Sequence, residues 1–159
     1  MLWKAGSMQL IDSEGHGVEL RIVGYQFPDA ADLRTRQSWL VIEGSAYSPQ
    51  GDWPFRWQAM TPPEAVALKQ WLQRVANVVV GGERPITQLR FTEPNLALSF
   101  DTSEAEPIEL SISLDLEFSP PWQRRTRAGN PYVVSCRLTG GSISAAASDW
   151  ATEVEPYPG

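Results

Sequence analysis

Between Pro107 and Phe118 apolar and polar residues alternate without a break. Ile108, Leu110, Ile112, Leu114, Leu116 and Phe118 fall on one side, and Glu109, Ser111, Ser113, Asp115 and Glu117 on the other. Six apolar matches to a period of two predict a long strand with one buried and one wet face. An antiparallel sheet is the natural home for such a strand. The same period recurs at Val18, Leu20 and Ile22, which alternate with Glu19, Arg21 and Val23. Gln9-Leu10-Ile11 precedes them across Ser13-Glu14-Gly15-His16-Gly17, so a hairpin is predicted there. Residues 39–44 should pair with residues 53–58 across the turn Ser48-Pro49-Gln50-Gly51-Asp52. Further strands are predicted at 88–92, at 96–100 after the turn Glu93-Pro94-Asn95, and at 132–138.

One segment switches to the helical period. Thr61-Pro62-Pro63-Glu64 offers a cap residue, proline at the first helical position and glutamate three residues after the cap. Ala65, Leu68, Leu72, Val75 and Ala76 follow at spacings of three and four, which predicts a helix over about 62–76. Trp71 lies between these core positions and is read as a residue at the boundary of core and surface, and Gly81-Gly82 is read as the end of the helix. A second, short helix could run from a cap at Ser142 to Val154, with Ile143, Ala146, Ala147, Trp150 and Val154 on one side. The tail, 155–159, is expected to be irregular. The fold class is therefore mainly β, of α+β type: an antiparallel sheet or β-sandwich with one well-signed helix, in a single domain spanning 1–159.

Composition adds limits. Thirteen prolines and twelve glycines fit a turn-rich β-protein. A single cysteine, Cys136, cannot form an internal disulfide, and no secretory signal or apolar run of membrane-spanning length is visible. The expected location is the cytoplasm. The formal charge is −6, which argues against direct nucleic-acid binding.

Candidate chemistry is sparse. The one histidine, His16, sits in a glycine-rich turn without Cys or His neighbours, and Asp12 and Glu14 beside it lack the ligand spacing of a calcium loop. Cys136 lies in a strand, where alternation makes it a core residue and turns Arg137 to the other face. No nucleophile elbow, phosphate loop or dinucleotide fingerprint occurs. Neither catalytic residues nor a metal or other cofactor site is assigned.

Surface features say more. Seven tryptophans are present. Trp53, Phe55 and Trp57 share one side of a predicted strand and are expected in the core, while Trp122, beside Arg124, Arg125 and Arg127, is the candidate exposed anchor. From Phe91 through Gln123 there is no lysine or arginine, but seven acids. Glu109, Asp115 and Glu117 are expected on the outer face of the long strand, and Asp101, Glu104 and Glu106 on the loop before it. These six acids and Trp122 form the candidate partner-binding surface, suited to a basic protein. The bland reading is a soluble strand whose charges resist edge pairing.

Several strings follow one another in an order that resembles the WapI-type family of bacterial immunity proteins. They are Gly24-Tyr25-Gln26-Phe27-Pro28, Trp39-Leu40-Val41-Ile42-Glu43-Gly44, Thr61 to Glu64 leading to Trp71-Leu72, Leu89-Arg90-Phe91-Thr92-Glu93-Pro94-Asn95-Leu96, and Leu116-Glu117-Phe118-Ser119-Pro120-Pro121-Trp122. The resemblance covers roughly residues 18–122. It implies a non-enzymatic protein that binds and neutralises a toxin domain, one of basic surface if the toxin is a nuclease. The alternative from another class is a small-ligand or carbohydrate-binding β-domain that uses tryptophans in a cleft.

Overall fold

A computed structural model describes residues 7–78, 86–101, 106–124 and 130–159. The chain forms two four-stranded antiparallel sheets, each a simple meander. The first sheet comprises β1 (Met8–Ile11), β2 (Gly17–Tyr25), β3 (Leu40–Ser48) and β4 (Gly51–Met60). The second comprises β5 (Gln88–Arg90), β6 (Leu96–Phe100), β7 (Ile108–Leu114) and β8 (Tyr132–Leu138). Between and after them lie α1 (Leu33–Arg36), α2 (Pro62–Ala76), α3 (Pro121–Arg124) and α4 (Gly140–Val154). The mainly β reading with some helix holds.

The hairpins form where turn chemistry and alternation predict them. In the β1–β2 turn, the Asp12 carboxylate accepts from the backbone N–H groups of Glu14 and His16 at 3.0 Å each, which folds the loop on itself. Gly17 follows at φ +144°, and a Cβ there would lie 1.8 Å from the Leu10 carbonyl oxygen. The β3–β4 turn is tighter than the sequence suggests: Ser48 pairs directly with Gly51. A bulge in β4 follows, since Leu40 pairs with Met60 but Val41 pairs with Gln58.

One continuous core joins both sheets and the two long helices. β8 packs over β1, β2 and β3, and the Cys136 thiol donates to the Leu10 carbonyl at 3.7 Å. α4 packs on β1 and β2 and along α2, where the Trp150 indole donates to the Ala65 carbonyl at 2.9 Å. The predicted capping box of α2 is present, with Thr61 as the cap and Glu64 closing it.

Several expectations change. The long strand stops at Leu114: residues Leu116–Phe118 form a 3-10 turn. Asp115 breaks the ladder because its carboxylate takes the Leu116 N–H at 2.9 Å, and Leu116 then adopts φ +51°. The alternating sequence continues past a bend, so Phe118 is buried while Leu116 is 50% exposed. Trp71 is no boundary residue but is buried, with its indole bonded to the Ile86 carbonyl at 2.7 Å and edge-on to Phe100. Trp57, expected in the core, is 48% exposed, whereas Trp53 and Phe55 on the same edge strand are buried against Trp122 and Phe118. α4 begins earlier than expected: Thr139, not Ser142, is its cap, and its hydroxyl accepts from the Ser142 N–H at 3.0 Å. Gly140-Gly141 is thus the first turn of a helix. A Cβ at Gly140 would meet the Ala76 carbonyl oxygen at 2.8 Å, so the close approach of α4 to the end of α2 requires glycine. Gly81-Gly82 lies outside the described residues.

Candidate functional site

The structure divides the predicted acidic surface. Asp101 and Glu106 flank the β6–β7 connection, and Glu109 stands on β7 nearby. Asp115 and Glu117 lie past the other end of β7. Seven strand residues span about 20 Å at ~3.4 Å per residue, so the two groups stand at opposite ends of the sheet. Only Glu109 of the three expected strand acids is on a strand face; Asp115 and Glu117 belong to the turn that replaces its end. Glu104 lies outside the described residues.

Several of these acids also hold the fold. Glu109 faces Arg137 across the β7–β8 ladder, with an ion pair at 4.0 Å. The Glu106 carboxylate accepts from the Gly140 N–H at 2.7 Å, at the start of α4. Asp115 caps the turn at Leu116, and its own N–H donates to the Asn95 carbonyl at 3.0 Å.

Trp122 is 41% exposed, yet it is built into an aromatic cluster. Its ring stands edge-on to Trp53 at 5.3 Å and to Tyr132 at 6.0 Å. The Trp53 indole in turn donates to the Phe118 carbonyl at 2.9 Å, and the Tyr132 hydroxyl bonds to Ser48 and Gln50 in the β3–β4 turn. Phe55, two residues along β4 from Trp53, packs on Phe118 at 4.3 Å. The segment from Leu116 to Trp122 therefore runs beside β4, with Phe118 sunk beneath it.

Two exposed apolar side chains stand on this same edge, and both were expected inside: Trp57 and Leu116. They share a shallow depression of about 470 Å³ with Pro54, Phe55, Arg56 and Glu117. One signal in the sequence pointed to an edge. Pro54 cannot donate to a ladder, so a strand carrying it belongs at the border of a sheet.

The string Phe91-Thr92-Glu93-Pro94-Asn95-Leu96 is structural. Phe91, Asn95 and Leu96 are buried. The Gln58 side-chain amide donates to the Glu93 carboxylate at 3.0 Å, and the Asn95 amide donates to the Gln58 carbonyl at 3.2 Å. These bonds tie the second sheet to β4, next to Trp57. Thr92 donates its N–H and hydroxyl to the Glu64 carboxylate at 2.7 and 3.2 Å, which ties the same loop to α2.

The groups considered for chemistry are held in structural roles. His16 lies 3.7 Å from the Glu14 carboxylate in its hairpin turn. Burial pushes the Cys136 thiol up to about 12, with Asp12 adding to the shift, so the reactive thiolate is suppressed. Among the described residues no three His, Cys, Asp or Glu side chains converge as metal ligands. A groove of about 440 Å³ runs over the outer face of the second sheet, floored by Ala97, Ser99, Ser111 and Ser113 and edged by Arg90 and Val133. Among the described residues no tryptophan lines it. Among the described residues, no helix is long and apolar enough to cross a membrane.

The model of the immunity protein WapI-like family matches residues 9–158, well beyond the 18–122 over which the motifs are recognisable by eye. The chain belongs to that family. No curated protein and no solved structure matches it.

Proposed function

We propose that this member of the WapI-like immunity family binds a toxin domain as a non-enzymatic inhibitor, and that its carboxylates speed the encounter with a basic partner surface. The observation that carries the reading is the family match over nearly the whole chain, because an immunity family implies a protein partner. The formal charge of −6 supports the electrostatic part, as does a stretch from 91 to 123 with seven acids and no Lys or Arg. A field of one sign raises the association rate of an oppositely charged partner by roughly 10- to 1,000-fold and is screened by salt.

The division of the acids decides which to test. Asp115 and Glu106 are unsuitable, because each holds a backbone N–H that a substitution would release. Asp101, Glu109 and Glu117 are the remaining acids of this surface among the described residues. Stopped-flow or surface-resonance kinetics of Asp101→Lys, Glu109→Lys and Glu117→Lys, combined, against the toxin domain encoded beside this gene should show an association rate reduced on the order of 10-fold at low salt. The salt dependence should flatten in parallel. A wild-type protein that does not bind that domain would refute the inhibitory role. Unchanged association rates and salt dependence in the triple variant would refute the steering role alone.

A further inference from the structure

We propose that Trp57 and Leu116 form the apolar anchor of the docking surface, and that its occupant is an apolar side chain ringed by arginine or lysine on a basic protein domain. This rests on the protein-binding role above. Trp57 is on β4 of the first sheet and Leu116 is in the turn after β7 of the second, yet they line one depression at the β4 edge, and they are 48% and 50% exposed. Each lies in a pattern that would normally bury it. Trp57 continues the inward row of Trp53 and Phe55, which are 2% and 4% exposed.

Leu116 supplies an independent argument. It holds φ +51°, a left-handed conformation that a leucine adopts only at a cost in backbone energy. The turn itself needs only that conformation. Glycine would adopt it freely and asparagine with less strain, and both are the usual residues there. A half-exposed leucine adds little to the core. The strained position therefore presents a large apolar side chain to solvent beside a tryptophan, and outliers of this kind gather at ligand-contacting sites. Trp and neighbouring apolar groups are the residue types that dominate interface energetics.

Charge complementarity names the occupant. Among the described residues Glu117 and Arg56 line the depression, Arg56 is paired with Glu43 at 3.3 Å, and the stretch 91–123 that carries Leu116 holds seven acids and no Lys or Arg, so the surroundings favour a cationic partner. A partner arginine would stack on the Trp57 indole, the aromatic face best suited to a cation.

Two variants test this against the same toxin domain. Leu116→Gly removes the side chain and relieves the backbone, so the fold survives, as thermal unfolding would confirm. Trp57→Ala removes the indole from an exposed edge. Each should raise the dissociation rate at least 10-fold, with the association rate within about threefold of wild type. Trp57→Phe should also abolish much of the change in tryptophan emission on binding. If the wild type binds and both truncations dissociate at the wild-type rate, the anchor is refuted and the inhibitory role stands. If the wild type does not bind, both fall.

Discussion

Glu64 joins the start of α2 to the loop before β6, and its removal should be felt out of proportion to its exposure. One carboxylate oxygen accepts from the Thr61 N–H at 3.0 Å and hydroxyl at 3.2 Å, completing the capping box of α2. The other accepts from the Thr92 N–H at 2.7 Å and hydroxyl at 3.2 Å. Losing a capping interaction costs about 1 kcal/mol. A bond to a charged acceptor is worth about 1.5–3 kcal/mol when buried, but these two are exposed, so about 1–2 kcal/mol is expected for the Thr92 pair together. Glu64→Ala should therefore destabilise by about 2–3 kcal/mol. For a chain of this size each kcal/mol lowers the midpoint by roughly 2–4 °C, so the melting point should drop by roughly 4–12 °C. Glu64→Gln is the sharper probe. Its amide keeps one oxygen for the cap but turns an N–H₂ toward the Thr92 donor, so its loss should fall between wild type and alanine. Urea denaturation at pH 7 measures all three. An alanine variant within about 0.5 kcal/mol of wild type, or a glutamine variant as stable as wild type, would refute the bridging role.

Two further outcomes follow from buried groups. Cys136 should resist a thiol-specific disulfide reagent at pH 8 in the native protein and react fully once unfolded, since burial holds its thiol near 12; rapid native labelling would contradict that placement. Burial also raises the Glu153 carboxyl, against the pull of the Ile22 N–H and Arg21. The folded state then keeps this proton to higher pH than the unfolded chain, so the contribution to stability falls as pH rises from the ordinary glutamate value through the raised one. Glu153→Gln should be more stable than wild type at neutral pH, with the gap closing below about pH 4.3, where both forms are neutral; a gap that stays constant across denaturation curves from pH 3 to 8 would refute the shift.

Local signals were legible wherever one interaction decides the geometry. The Thr61–Glu64 box and the period-two strands before Leu114 are such cases, because backbone satisfaction and a single buried face leave few alternatives. The errors share a cause: alternation reports which side a residue points to, not whether anything covers that side. Trp57 sits on the inward row, but among the described residues it is left 48% exposed at the border of the sheet. Leu116 keeps the period in sequence, but one side-chain bond from Asp115 turns the chain before it. The acids from Glu109 to Glu117 looked like one face for the same reason, and the bend separates them. Trp71 erred in the opposite direction, since its cover comes from Phe100 and the Ile86 carbonyl, brought there by the second sheet.

The separation has a mechanistic consequence. Carboxylates at both ends of β7 act over a Debye length of about 8 Å in physiological salt, which is enough to bias the approach of a partner but not to hold it in register. Holding requires contacts that exclude water, and the described surface offers those at Trp57 and Leu116, beside a loop pinned by Glu93, Asn95 and Gln58. In the proposed mechanism steering falls on Asp101 and Glu109 and anchoring on Trp57 and Leu116, with Glu117 beside the anchor. Charge reversals should move association rates and salt slopes, while truncations at the anchor should move dissociation rates. A double variant combining Glu109→Lys with Leu116→Gly should show the two effects adding in the logarithm of affinity, because the sites are too far apart to share partners. Strong non-additivity would mean that one partner group bridges both, and that the acids and the anchor form a single contact.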